Sequence, residues 1–506
     1  MSRGVSRRQF LATSFGALVG STLRPDQSLS GQLYFLQQAP RTQPALATTI
    51  QATKRTLEIN GKAANVMGLL QPNGTQGMSS VVNEPFRVTL ENKLAVSTAI
   101  HWHGLHPPNN EDGVPGVTQP VVRPDASNFY NFPLRPAGTH WMHSHQGLQE
   151  AFLLAAPLIV HDPADQARDE QEVVLFLSDF SFTPPKEIYA KLRQKSPGMS
   201  VIGEGEPLTM SGTGSATPAQ TAQTMKMAAG TPDANDVNYD AYLANDRTLN
   251  DPEVVKVEKG GRVRLRIING SSGTNFFIDL GALTGELIAT DGMPVKPIQG
   301  GRFPLAIAQR IDVRVQLPHD GGAFPILALR EFSMEQTGIV LATSGAQIQR
   351  VPAKNSSPSG LLTLGLESQL AAAKPLRDKA ADQVTVLRLQ GNMSRYEWLI
   401  NGQAFDVSNP GSQQPQVRVK SGQRVGLKFV NETPMSHPMH LHGHSFQVVA
   451  INDRRFSGAV RDTVLVPGRN SVTVEFDANN PGLWFVHCHV LWHLEAGMAA
   501  LVQYEA

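Results

Sequence analysis

Only one cysteine occurs among the 506 residues, so no intrachain disulfide can hold the fold, and stability must come from packing or from bound metal. Aromatic residues are few, at 7% of the chain. Neither sign of charge dominates: 44 Lys and Arg against 43 Asp and Glu leave a formal net charge of +1. That balance removes the electrostatic case for nucleic acid or an anionic membrane as partner. Long apolar runs are missing too. The weakly apolar stretch from Phe10 to about Leu23 is too short and too rich in Gly, Ser and Thr to span a bilayer, which takes about 20 apolar residues. Helical periodicity is equally scarce.

What is present begins with a leader. In MSRGVSRRQFLATSFGALVG, Arg7 and Arg8 precede Phe10 and Leu11. That pattern predicts a twin-arginine export signal within residues 1–48, recognition by the export machinery, and a periplasmic or secreted protein. Ala45-Leu46-Ala47 is a candidate cleavage site. Beyond it, short alternating runs recur between turn residues: RTLEI, FRVTL, VRLRIIN, DVRVQL, TVLRL, VTVEF. Period-two alternation marks half-buried strands, so the chain reads as all-β, built of sandwiches or barrels.

Internal similarity divides it. GGRVRLRIIN (Gly260 to Asn269) matches GQRVGLKFVN (Gly422 to Asn431) at Gly, Arg-Val, Leu and Asn, and FRVTLEN (Phe86 to Asn92) is a shortened relative. The segments ending at His145 and His489 each close on Gly, an aromatic residue and His-x-His. Copies this far apart fit three related Greek-key sandwich domains, at 50–165, 166–345 and 385–506. The Pro/Ser/Lys-rich stretch 346–384 reads as a long linker, and 196–236 as a surface insertion of the second domain.

Histidines concentrate in four segments: HWH at 101, HSH at 143, HPMHLH at 437 and HCHVLWH at 487. The middle domain carries NFFIDL (Asn275 to Leu280) where the third has MHLHGH, so it is expected to be a spacer without metal. On a strand, residues two apart face the same way. His487 and His489 therefore face one side and Cys488 the other, which lets one tripeptide serve two metal centres on the order of 10 Å apart. A thiolate, two imidazoles and a weak axial thioether make a blue-copper electron-transfer site, and Cys488, His493, Met498 and His437 supply that set. Zinc accepts Cys and His, but it has no use for eight further paired histidines or for an axial methionine.

Taken together, HWHG, HSH, HPMHLHGH and HCHVLWHLEAGM resemble the four copper signatures of the multicopper oxidases, the laccase family, over nearly the whole mature chain. The resemblance implies three cupredoxin-like domains and four copper ions. His437, Cys488, His493 and Met498 would bind the type 1 copper, and His101 and His440 the type 2. His103, His143, His145, His442, His487 and His489 would bind the type 3 pair. His106, His140, His161, His319 and His444 fall outside the pattern and are expected to be surface or packing residues.

The implied activity is one-electron oxidation of four substrate equivalents, coupled to four-electron reduction of dioxygen to water, with Cys488 as the electron route. Asp112, in NNEDGVPGVTQ, matches a family position credited with proton supply. Many bacterial members carry Glu directly after the last type 1 histidine. This chain has Leu494 there, and Glu495 is expected to point elsewhere. Met498 implies a moderate potential, favouring phenols or aromatic amines as donors. A cuprous or ferrous metallo-oxidase serving copper tolerance is the alternative, hinted at by Met199, Met210, Met225 and Met227 with Met435 and Met439. A copper-free exported scaffold of the same fold is the rival from another class, and it should lack several ligands. A monomer without a stable membrane span is expected.

Overall fold

The computed structural model describes residues 48–194 and 235–505. The expected leader and the methionines Met199, Met210, Met225 and Met227 lie outside the described residues. Among those described, no helix is long and apolar enough to cross a membrane.

One arrangement of strands is built three times. Thr48–Ile59 runs parallel to Pro85–Asn92, Gln171–Phe180 parallel to Arg262–Asn269, and Gln383–Asn392 parallel to Arg424–Asn431. In each case a second sheet contains another parallel pair: Met78–Val81 with Ala155–His161, Val254–Val257 with Gln336–Thr343, and Val417–Lys420 with Ala499–Glu505. The remaining ladders are antiparallel. The Asn that ends each repeated motif explains why the sequence repeats there. Buried Asn92 donates its side-chain amide to Val96 O and Val122 O, Asn269 to Thr274 O and Leu305 O, and Asn431 to Met435 O and Val466 O. Each carboxamide satisfies backbone carbonyls of two segments that would otherwise be buried without donors. In the third copy it fixes the loop that delivers His437.

Alternation misleads in the middle domain. Arg264 and Arg266 in VRLRIIN should face water by period two, yet seven of the eight residues of Arg262–Asn269 are buried. The reason is a second layer of charge. Arg264 and Arg266 both reach Asp312 Oδ2, at 2.7 and 3.0 Å, while Thr139 of the first copy donates to Asp312 Oδ1 at 2.5 Å. The polar face of this sheet is thus covered by a neighbouring domain, and its arginines are paired rather than solvated.

The stretch read as a linker is also packed. Ala372 pairs with Val295, Lys354 with Glu335, and Leu362 and Leu370 are buried. It contains a turn-like run, with Ser368 N–H donating to Leu364 O and Leu370 N–H to Leu366 O.

Candidate metal centre

The five tryptophans are all buried, and two pack on candidate ligands: Trp141 stacks on His143 with ring centroids 4.2 Å apart, and Trp398 lies tilted over His493 at 3.9 Å. Few as they are, the aromatics hold imidazoles in place. The strands bring the motifs into register. Met439 lies opposite Cys488 and His440 opposite His487 on neighbouring strands, and His101 lies opposite His143 in the first copy.

On one side of Leu483–Cys488, the Cys488 Sγ is 3.6 Å from His437 Nδ1 and 3.6 Å from His493 Nδ1, and those two nitrogens are 3.1 Å apart. His437 Nε2 meets Thr433 Oγ1 at 2.8 Å, and His493 Nε2 meets Asp236 Oδ2 at 2.9 Å. Met498 is wholly buried in the same core; its N–H donates to His493 O and its carbonyl accepts from Cys488 N–H. On the other side, His487 and His489 have ring centroids 5.3 Å apart and enter a cluster of eight histidines. There His442 Nε2 and His487 Nε2 are 3.0 Å apart, His143 Nε2 and His489 Nε2 3.4 Å, and His101 Nε2 and His440 Nε2 3.4 Å. His103 Nδ1 and His145 Nε2 are buried without any hydrogen-bond partner.

The outer nitrogens of these rings are committed elsewhere. His101 Nδ1–H donates to Asp112 O at 2.8 Å, His442 Nδ1–H to Asp112 Oδ2 at 2.8 Å, and His487 Nδ1–H to Cys488 O at 2.9 Å. His143 Nδ1 lies 2.6 Å from Glu150 Oε2, and His103 Nε2 lies 3.0 Å from Asp462 Oδ1. Ring protons held outward leave the inner nitrogens bare, lone pair against lone pair, which is repulsive unless a cation lies between them. Burial pushes the pKa values of His143, His145, His437, His442, His487 and His489 well below the ordinary imidazole range, so protons do not fill that role. Burial also pushes the Cys488 thiol up. A soft cation that draws out the thiolate is what this donor set fits. The groups His101–His103–His440, His103–His143–His489, His145–His442–His487 and His437–Cys488–His493 each bring their ligand atoms within 4.8 Å of one another.

Every histidine expected as a ligand is thus gathered into one of the two clusters. Of those outside the pattern, His140 and His444 are buried packing residues: His140 Nε2–H donates to Pro136 O, and His444 Nε2 lies 2.6 Å from Tyr504 OH. His319 is exposed.

Glu495 lines a cavity of about 230 Å³ together with Glu150, His143, His145, His487 and His489. One expectation needs correction. The middle domain is more than a spacer, since it supplies Asp236 to His493 and Arg310 to Asp462. Glu150, Asp236, Arg310 and Asp462 were all missed. Glu150 had a faint signal, five residues after HSH in a polar loop; the others touch the clusters only across long stretches of chain.

Three profiles of the multicopper oxidase family match consecutive segments, residues 52–165, 171–350 and 378–506. The chain is 30% identical to the multicopper oxidase MmcO of Mycobacterium tuberculosis, with 99% of this chain and 97% of that one covered. It belongs to the multicopper oxidase family. A copper resistance protein A homologue of Pseudomonas syringae is 28% identical, covering 82% of this chain and 85% of its own, and Laccase-3 of Thanatephorus cucumeris is 27% identical, covering 88% and 90%. Among solved structures, Fet3p, a multicopper oxidase that functions in iron import, superposes with a TM-score of 0.73 at 18% identity over 90% of each chain. The laccase of Botrytis aclada also gives 0.73, at 23% identity over 90% of this chain and 86% of that one. The fold is accordingly three cupredoxin-like domains. This multicopper oxidase is a copper oxidoreductase that couples oxidation of a reducing substrate to reduction of dioxygen, and its gathered ligands set it apart from a copper-free scaffold.

Proposed function

We propose that the chain holds four copper ions, type 1 at His437, Cys488, His493 and Met498, type 2 at His101 and His440, and a type 3 pair at His103, His143, His145, His442, His487 and His489. When bound, the coppers supply one-electron acceptance at the cysteine centre and four-electron reduction of dioxygen to water at the histidine cluster. Cys488 joins the two through its own peptide bonds to His487 and His489, so the electron route needs no through-space jump between strands.

Protons must reach the cluster, and carboxyls stand beside it. Asp112 Oδ2 accepts from His442 Nδ1–H, and its carbonyl from His101 Nδ1–H. Glu150, whose carboxyl burial pushes well above the usual range, stands near His143 and His489, and its Oε1 has no hydrogen-bond partner. It offers the second proton position that Leu494 does not.

The observation that carries the choice of donor is Asp236. Its carboxylate is the outer neighbour of His493 Nε2, and the two side chains are 1% and 0% exposed. Tyr396 OH donates to the same carboxylate. A buried carboxylate beside the type 1 ligand suits electron entry from a small cation better than from a bulky aromatic, so of the two expected donor classes we favour cuprous or ferrous ion, with export by the twin-arginine route as its setting. Oxygen uptake with cuprous ion, ferrous ion and a methoxyphenol, for the parent and Asp236→Asn, separates the two. The metal reading expects Asp236→Asn to lower kcat/KM for cuprous ion by about 10–100-fold while phenol turnover changes little. Higher parent turnover of the phenol, with equal loss on both donors, would overturn it.

A further inference from the structure

One guanidinium touches all three domains. Arg310 begins the middle-domain strand Arg310–Gln316 and is fully buried. Its Nε–H donates to Thr139 O of the first domain at 3.0 Å and its Nη1–H to Ala308 O of its own at 3.2 Å. Both Nη groups grip the carboxylate of Asp462 in the third, Nη1 to Oδ1 at 2.7 Å.

Asp462 in turn fixes two ligand rings. Its backbone carbonyl accepts from His440 Nδ1–H at 2.9 Å, which leaves His440 Nε2 bare and facing His101 Nε2. Its Oδ1 accepts from His103 Nε2–H at 3.0 Å, leaving His103 Nδ1 bare. One aspartate therefore sets the tautomers of histidines from two domains. A second observation bears on the same pair. Gly104, just after the first histidine motif, has φ +92°, and a Cβ there would lie 2.5 Å from Arg310 Nη2 and 3.0 Å from Asp462 Oδ2. The backbone is kept bare where the ion pair passes.

We propose that Arg310 is a positioning residue for the type 2 copper: by holding Asp462 it orients His440 and His103, so that the middle domain, which offers no ligand among its described residues, controls how tightly that copper is kept. Without Arg310, Asp462 loses the anchor that seats its backbone carbonyl against His440 Nδ1–H as well as the grip that holds its carboxylate against His103 Nε2–H. Outer partners of ligating histidines are worth about 10–100-fold in metal affinity. The inference rests on the assignment of His101 and His440 to type 2 copper.

The test uses full-length protein loaded with copper and then dialysed against a mild chelator. Copper per chain, the type 2 paramagnetic resonance signal, the blue band and Tm are read for Arg310→Met, Arg310→Lys, Arg264→Met and His440→Ala. Arg264 is a control, since it joins Asp312 in the same interdomain layer and touches no ligand. Arg310→Met should lose about one copper per chain and the type 2 signal while keeping the blue band, with a 10–100-fold weaker type 2 affinity. Arg310→Lys, which keeps the charge, should recover part of it. Arg264→Met should lower Tm without touching the signal. Parent-like copper and signal in Arg310→Met overturns the proposal, and so does parallel loss in Arg310→Met and Arg264→Met, or loss of the blue band together with type 2. A type 2 signal that survives His440→Ala sinks the ligand assignment beneath it instead.

Discussion

Cys488 shows how much one residue can be asked to do on a strand. Its side chain belongs to one centre and its neighbours to the other, so removing the sulfur should disconnect the two without dismantling the second. Cys488→Ser is expected to be colourless, to bind about one copper fewer per chain, to keep the type 2 signal and to lose turnover on every donor, as copper analysis and visible and paramagnetic spectra will show. Retained turnover would contradict the wiring. Asp112→Asn should do the reverse. The amide can still occupy the space between His101 and His442 but cannot deliver a proton, so copper content and colour should persist while oxygen uptake falls about 10²-fold.

Among elements, loops carry what strands cannot. Asp112 sits in a turn closed by Gly113, which has φ +92° and whose Cβ would fall 1.9 Å from Ile100 O, directly behind His101. Gly113→Ala should cost about 1–3 kcal/mol in backbone strain alone and, by pushing the turn off the strand, weaken copper at the histidine cluster; a parent-like Tm and copper count would show that the turn is not tight. The strands and ligand motifs were legible because both follow local rules: alternation in FRVTL and VTVEF, and the two-residue period of His-x-His. Asp236, Arg310 and Asp462 were not legible, because their meaning lies in pairings with no local pattern. Asp236 meets a ring 257 positions later in the chain. Arg310 begins a strand whose alternation puts arginines on a face that only the assembled protein covers. The Asn at the end of each repeat was visible as a repeat, but its role in tying two loops together was not.

At the scale of the whole molecule, buried polar chemistry makes stability depend on pH. Burial pushes His140 and His444 each down to about 3, whereas the unfolded chain titrates near 6.5. Between those values the unfolded chain binds protons that the folded one refuses. Stability is therefore whole above about pH 6.5 and lost as pH falls, at up to about 1.4 kcal/mol per pH unit for each ring. The buried ligand histidines of the copper-free protein act in the same direction. Melting curves of copper-free protein from about pH 7.5 to about pH 4.5 should show Tm falling steadily through that window. A flat or rising Tm would mean that these rings accept protons in the fold.

The imidazole partners that would enclose metal lie far apart along the chain: His143 and His489 are separated by 346 positions, and His101 and His440 by 339. Neither pair exists until the last strands have been synthesised and seated on the first domain. A growing polypeptide therefore cannot close either pair on the ribosome. Metal enclosed between them has to follow completion of the fold, and where the finished protein first meets copper decides where it becomes an enzyme.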